Sequence, residues 1–224
     1  MVTEMQQGHT LIIACGALQD EVRAVAGDLP IEICEGRLHD HPERLRPCIE
    51  EAVARHPHCA TVLLAYGRCS NGLVGLQAGE RTFVIPAVDD CIGMLLGSRQ
   101  RHQEEFTKHP GTYYYTRGWI EEVDDPYQVY LKLVPKYGAE TAAELSRMEL
   151  ASYTRIGIID TGTYDLAEYE PYAREVAEFY DLELERLPGS LRLLERLVKG
   201  PHDDEFIVLK PGETLTEECY WPRR

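Results

Sequence analysis

Three cysteines in this chain, Cys15, Cys69 and Cys91, have the placement that metal chemistry asks of a thiol. Each stands at or within a few residues of the end of a short apolar run, and each has glycine close by: Gly16, then Gly67 and Gly72, then Gly93. A deprotonated thiol is a soft ligand, so three of them delivered to one place would hold a thiophilic metal. Two centres suit such a set. A [4Fe–4S] cluster can be bound through three of its irons, which leaves the fourth open to a substrate. A zinc ion can take three cysteines and one histidine, with His39 or His41 as the fourth ligand. The separations of 54 and 22 residues match no zinc-finger spacing, so the site exists only if the fold gathers it.

Around the trio lie groups that could act on a bound molecule. His39 is a fourth ligand or an acid–base group, and Arg68 and Asp90 are placed to orient substrate. Gly16, Gly67 and Gly72 would let backbone approach a bound group closely. Asp160-Thr161-Gly162-Thr163 reads either as a binder of a substrate hydroxyl or amine or as a helix-entry loop capped by Asp165. Tyr113, Tyr114, Tyr115 and Trp119 alternate as a strand would, in a structural role. Cys34, Cys48 and Cys59 read as small buried hydrophobes, and Cys219 as incidental. There is no P-loop, no GxGxxG and no GxSxG, so phosphate cradling and serine hydrolysis have no support.

The elements that must position these residues follow a strand–helix rhythm. The run ending at Cys15 is continuous and apolar, as in a strand buried on both faces. A helix over 18–27, a strand over 31–34 and a helix over 42–56 follow. Further strands are predicted over 61–66 and 81–88, then a helix over 92–106. Residues 109–153 break the rhythm with a tyrosine-rich segment and helices over 126–136 and 139–151. It resumes with strands over 155–160, 182–187 and 206–210 and helices over 165–180 and 190–199. The fold class is α/β, with Rossmann-like parallel sheets in two halves and a helical connection. The expected units are 8–108, carrying the Cys/His site, 109–153 as the connection, 154–212 as the second half, and a tail over 213–224. In open parallel sheets ligands bind beyond the carboxyl ends of strands, where the three cysteines fall.

Of the 224 residues, 44% are hydrophobic and 27% charged, enough for a sizeable core, and the formal net charge is −15. An acidic chain with no Lys/Arg cluster has no footprint for nucleic acid or for an anionic membrane. No stretch of about 18 apolar residues is present, and the N-terminus lacks the layout of a signal peptide. The chain is therefore expected in the cytoplasm with its seven cysteines reduced. A small-molecule substrate is the expected partner, and a homo-oligomer is compatible with these features.

Several segments together resemble an uncharacterised family, DUF1638. They are Ala14-Cys15-Gly16, Leu38-His39-Asp40-His41-Pro42-Glu43-Arg44-Leu45, Tyr66-Gly67-Arg68-Cys69, Asp90-Cys91-Ile92 with Leu96-Gly97, and Pro110-Gly111-Thr112-Tyr113-Tyr114-Tyr115-Thr116. The resemblance covers roughly residues 10–212. In it the cysteines and His39 fall on motif positions, and Ser70 departs from the glycine that many members carry after this cysteine. It implies a companion of corrinoid-dependent methyltransferase systems in one-carbon metabolism but supplies no reaction. The resulting expectation is a metal- or iron–sulfur-dependent protein, an enzyme of unassigned reaction on a small molecule, with corrinoid methyltransferase components as partners. The alternatives are a non-catalytic protein that binds or delivers a metal or corrinoid-type cofactor, and a regulatory partner whose cysteines only stabilise the fold.

Overall fold

The computed structural model describes residues 9–221, without the side chain of His39. Its first sheet is built from β1 (Thr10–Cys15), β2 (Ile31–Cys34), β3 (Thr61–Ala65), β4 (Thr82–Pro86) and β8 (Phe206–Leu209), in the spatial order β2-β1-β3-β4-β8. The first four are mutually parallel. Helix α1 (Gln19–Ala26) joins β1 to β2, and α2 (Leu45–Arg55) joins β2 to β3. The alternation of β1 explains why both faces need cover: Leu11 and Ile13 pack toward α2, whereas Ile12 and Ala14 pack toward α1.

A second, fully parallel sheet has the order β5-β6-β7, from Thr112–Tyr115, Arg155–Asp160 and Glu183–Pro188. Between the sheets Ile159 of β6 and Leu187 of β7 share an apolar layer with Val22 of α1 and with Leu193, Leu194 and Leu197 of α9 (Arg192–Lys199). On the other face of the second sheet, Ile156 and Ile158 meet Ala173, Val176 and Ala177 of α8 (Leu166–Tyr180). The two Rossmann-like sheets are therefore joined through one core layer.

Four expectations need correction. Phe206–Leu209 does not extend the second half: it returns to the first sheet and pairs antiparallel with β4, with Phe206 opposite Pro86. A strand's sheet is chosen by which edge is open to it, which the local pattern does not encode. Residues 109–153 are not only a connection, because Thr112–Tyr115 supplies strand β5, after which Thr116 caps α5 (Arg117–Glu122) and turns Trp119 into a helix. Between them and α8 lie α6 (Pro126–Tyr137) and α7 (Ala139–Glu149), close to the predicted helices. The helix expected over 92–106 is two, α3 (Cys91–Leu95) and α4 (Arg99–Lys108), because Gly97 takes φ +85° and Ser98 caps the second. Finally, Cys34 at the end of β2 and Cys48 in α2 form a disulfide, so the cysteines are not all reduced. Among the described residues no helix is long and apolar enough to cross a membrane.

Candidate functional site

The three cysteines reach one edge of the first sheet because its strands are parallel. Cys15 ends β1 and stands in register with Cys34 on β2. Cys69 follows β3, the neighbour of β1, and Cys91 opens α3 after β4. Each is partly buried. Burial pushes the Cys15 thiol up to about 11, with the Glu122 carboxylate adding to the shift. Burial, then Cys15 and Asp90, push Cys69 up to about 12. Cys91 is raised well above the ordinary thiol value by burial, Asp90, Cys69 and Cys15. Each of these causes requires proximity, so the trio shares one electrostatic environment. At neutral pH all three are thiols, which makes them poor nucleophiles. Among the described residues no three His, Cys, Asp or Glu side chains converge, as they stand, on a point that a metal ion could occupy.

The loop bearing Cys69 is unusual. Cys69, Ser70 and Asn71 have φ of +45°, +55° and +64°, a left-handed run of three non-glycine residues. Such a run is strained and persists where surrounding contacts impose it. Here Arg68 and Cys69 donate their N–H groups to the Val88 and Asp89 carbonyls, which stitches the loop to the segment leading into Cys91. Ser70 takes a conformation that glycine adopts freely.

The three glycines predicted to let backbone approach a bound group each have protein close by. A Cβ on Gly67 would lie 2.8 Å from Asp90 Cα and N, one on Gly72 would lie 2.9 Å from the Pro42 carbonyl, and one on Gly16 would lie 2.8 Å from Glu122 Oε2. All three admit protein against protein. They pack the loops of the edge together.

Asp90 caps α3, with Oδ1 accepting from the N–H groups of Ile92 at 2.9 Å and Gly93 at 3.4 Å. Its carboxylate also lies 3.7 Å from His102 Nδ1. Arg68 lies 3.8 Å from Asp89 and 3.5 Å from Glu217, with its guanidinium 5.4 Å from the centre of the Trp221 ring. His41 is exposed and lies 3.6 Å from Glu43. His39 lies on the 3-10 turn Gly36–Asp40 that follows β2, and its side chain is outside the described residues. That turn borders the edge, since a Cβ on Gly36 would meet Glu122 Cβ at 2.7 Å.

Several residues at this edge escaped sequence reasoning. Glu122 arrives on α5, whose Gly118 packs directly on the Ala17 carbonyl. Tyr66 follows β3, and Tyr220 comes from the 3-10 turn Glu217–Tyr220. Arg99 Nη1 donates to the Tyr220 carbonyl at 2.8 Å and its guanidinium also faces Trp221, at 5.5 Å. The tail is thus strapped over the Cys69 loop by two arginines. Tyr66 had one signal, its place immediately before Gly67 at a strand end; the tail had none. In the second half Thr161 and Thr163 donate to Glu21 Oε1 of α1 at 2.7 and 3.1 Å, so the Asp160–Thr163 loop is engaged in joining the sheets.

No curated protein and no solved structure matches the chain. Residues 33–198 match the family described as a protein of unknown function, DUF1638, a span that includes Cys69 and Cys91 and begins after Cys15. By that match the chain belongs to the DUF1638 family.

Proposed function

We propose that Cys15, Cys69 and Cys91 hold a thiophilic metal centre, an iron–sulfur cluster in the first instance and zinc in the second, at which a small molecule is bound. The observation that carries the reading is electrostatic. Three thiols from three strand ends lie in one another's field, and burial keeps all of them protonated. A bound cation reverses that balance, because thiolates that repel one another become its ligands. Binding requires the three thiols to turn inward together. With a coordination position left open, such a centre supplies a Lewis acid for an oxygen, sulfur or amine of the substrate.

The protein's own groups would do the rest. Arg68, tied to Asp89 and Glu217, fixes the Cys69 loop and presents positive charge beside it. Asp90 holds the start of α3, and with it Cys91, in place. An enzyme of corrinoid-linked one-carbon metabolism is the setting we propose, on the strength of the family resemblance. The test is anaerobic reconstitution with ferrous iron and sulfide, or with zinc, followed by metal analysis and absorbance spectra. Cys69→Ser should lose the centre. Cys59→Ala should keep it, since Cys59 is buried away from the edge and donates to the Thr61 carbonyl. Equal metal content in the two variants, or none in the wild type, refutes the assignment.

A further inference from the structure

Strand β8 closes the first sheet and has a neighbour on one side alone: among the described residues the order β2-β1-β3-β4-β8 ends with it. The Ala87 N–H donates to the Glu205 carbonyl at 2.8 Å, which fixes the phase of the antiparallel ladder. Ile207 and Leu209 then exchange bonds with Ile85 and Phe83 of β4, and Phe206 and Val208 turn their main-chain groups outward. The Phe206 N–H is taken by the Asp203 carbonyl at 3.0 Å. What remains is the N–H and C=O of Val208 with the C=O of Phe206, a pattern that an incoming antiparallel strand can satisfy. Beside them runs a groove of about 920 Å³, far larger than the voids of a well-packed core. Val208 and Trp221 line it and are 39% and 48% exposed, although both are large and apolar.

We propose that this side of β8 is a docking site for an extended basic segment of another protein, which joins the first sheet as a further strand. Main-chain pairing supplies the affinity, and the side chains around the groove supply the selection. Alternation along β8 places those side chains. Ile207 and Leu209 pack with Leu215 and Tyr220 of the tail, whereas Phe206 packs with Leu193 of α9 on the opposite face. Val208 shares the face of Phe206, so an apolar residue suits the position opposite it. The residues before and after that one turn toward the tail, where Glu213 and Glu218 line the groove and, among the described residues, neither is in an ion pair. Arg99, the one basic residue of the described lining, is engaged by the Tyr220 carbonyl and the Trp221 ring. Apolar and basic residues in alternation therefore fit. A second copy fits poorly. Laid antiparallel with Val208 against Val208, it would turn Asp203 of each chain toward Glu213 of the other, on molecules that each carry a net charge of −15. The acidic flank thus disfavours self-association and selects a cationic strand.

A short peptide of alternating lysine and valine, blocked at both ends, tests this on the full chain by calorimetry and tryptophan fluorescence. It should bind saturably, and its glutamate–valine counterpart should not. Methylating the valine nitrogens of the peptide removes its main-chain donors and should weaken binding about 10-fold or more. In the protein, Glu213→Gln with Glu218→Gln should weaken it about 2- to 10-fold and flatten its dependence on salt. Val208→Pro removes the outward N–H at an edge position, where proline is tolerated, and should weaken binding about 10-fold. No saturable binding below about 1 mM would overturn the proposal. Equal affinity for the N-methylated peptide would overturn it too, because charge alone would then account for binding, and so would equal affinity for the glutamate peptide. Both of those comparisons use the wild-type chain, so they stand even if Val208→Pro fails to fold. Reversible dimerisation of the wild type that Val208→Pro abolishes would overturn the choice of occupant and give the site to a second copy.

Discussion

Gly67→Ala should loosen the joint between the Cys69 loop and the Cys91 helix. A Cβ at this position would sit 2.8 Å from Asp90 Cα, 2.8 Å from Asp90 N and 2.9 Å from the Val88 carbonyl oxygen. All three neighbours are backbone, so none can swing aside as a side chain would. Two segments already tied by the Arg68 and Cys69 N–H bonds to Val88 and Asp89 must part by a few tenths of an ångström or more. Overpacking of this kind costs roughly 1–3 kcal/mol, and three rigid contacts argue for the upper end. Alanine also restricts the unfolded chain, which offsets about 0.4–1 kcal/mol. The net expectation is a loss of about 2 kcal/mol, read as a lower urea midpoint. Gly79→Ala separates this from a generic glycine effect. Its Cβ would meet nothing within 4 Å, and its φ of +58° leaves only the left-handed cost of about 1–2 kcal/mol. Labelling of Cys69 and Cys91 by a thiol reagent should accelerate in Gly67→Ala and not in Gly79→Ala. A Gly67→Ala protein with wild-type midpoint and wild-type labelling would refute the reasoning that the glycine exists for chain-to-chain approach.

Two further outcomes follow from buried and cross-linked groups. Burial raises the Glu21 carboxyl above its ordinary 4.5, against the opposing bonds from Thr161 and Thr163, so the folded state holds its proton more tightly than the unfolded state does. Glu21 therefore costs the fold more as pH rises from about 4.5 through its raised value. Glu21→Gln keeps an acceptor for both threonines, and its stability relative to wild type should climb across that window and then level off; a pH-independent difference would disprove the linkage. Reduction of Cys34–Cys48, which closes a loop with a sequence separation of 14, should cost about 3 kcal/mol in an equilibrium unfolding series with and without reductant. Coincident curves would show that the bond does not constrain the unfolded chain.

Much of the cysteine edge could be read in advance because the information is local. A continuous apolar run, a cysteine and a glycine mark the end of a buried parallel strand at Cys15, and Tyr66-Gly67-Arg68-Cys69 marks another. Parallel order then does the gathering, since every such end points the same way. What escaped depended on contacts between distant segments. Cys34 and Cys48 looked like two hydrophobes until a strand end and a helix were laid side by side. Tyr220 stood in a polar tail with no periodicity, and its place against the Cys69 loop comes from Arg68 and Arg99 acting on Trp221 and on its own carbonyl. Phe206–Leu209 had the right composition for a strand and no local clue to its sheet. Gly97 and Ser98 carried the signs of a helix stop and a cap, and the apolar pattern across them concealed both.

The antiparallel pairing of β8 with β4 also has a kinetic consequence. Phe206 and Pro86 are partners across more than half the chain, and the second sheet, with its helices, lies between them in sequence. Long-range pairing of this kind raises contact order and slows folding. During synthesis from the N-terminus, β4 presents its outer N–H and C=O groups as an open edge until nearly the whole polypeptide has emerged. The segment that straps the Cys69 loop follows β8 directly, so the cysteine edge should be among the last parts of the molecule to acquire its native surroundings. A nascent chain stalled before residue 206 would leave the Cys69 loop uncovered, and its thiol should react with an alkylating reagent faster than in the completed protein.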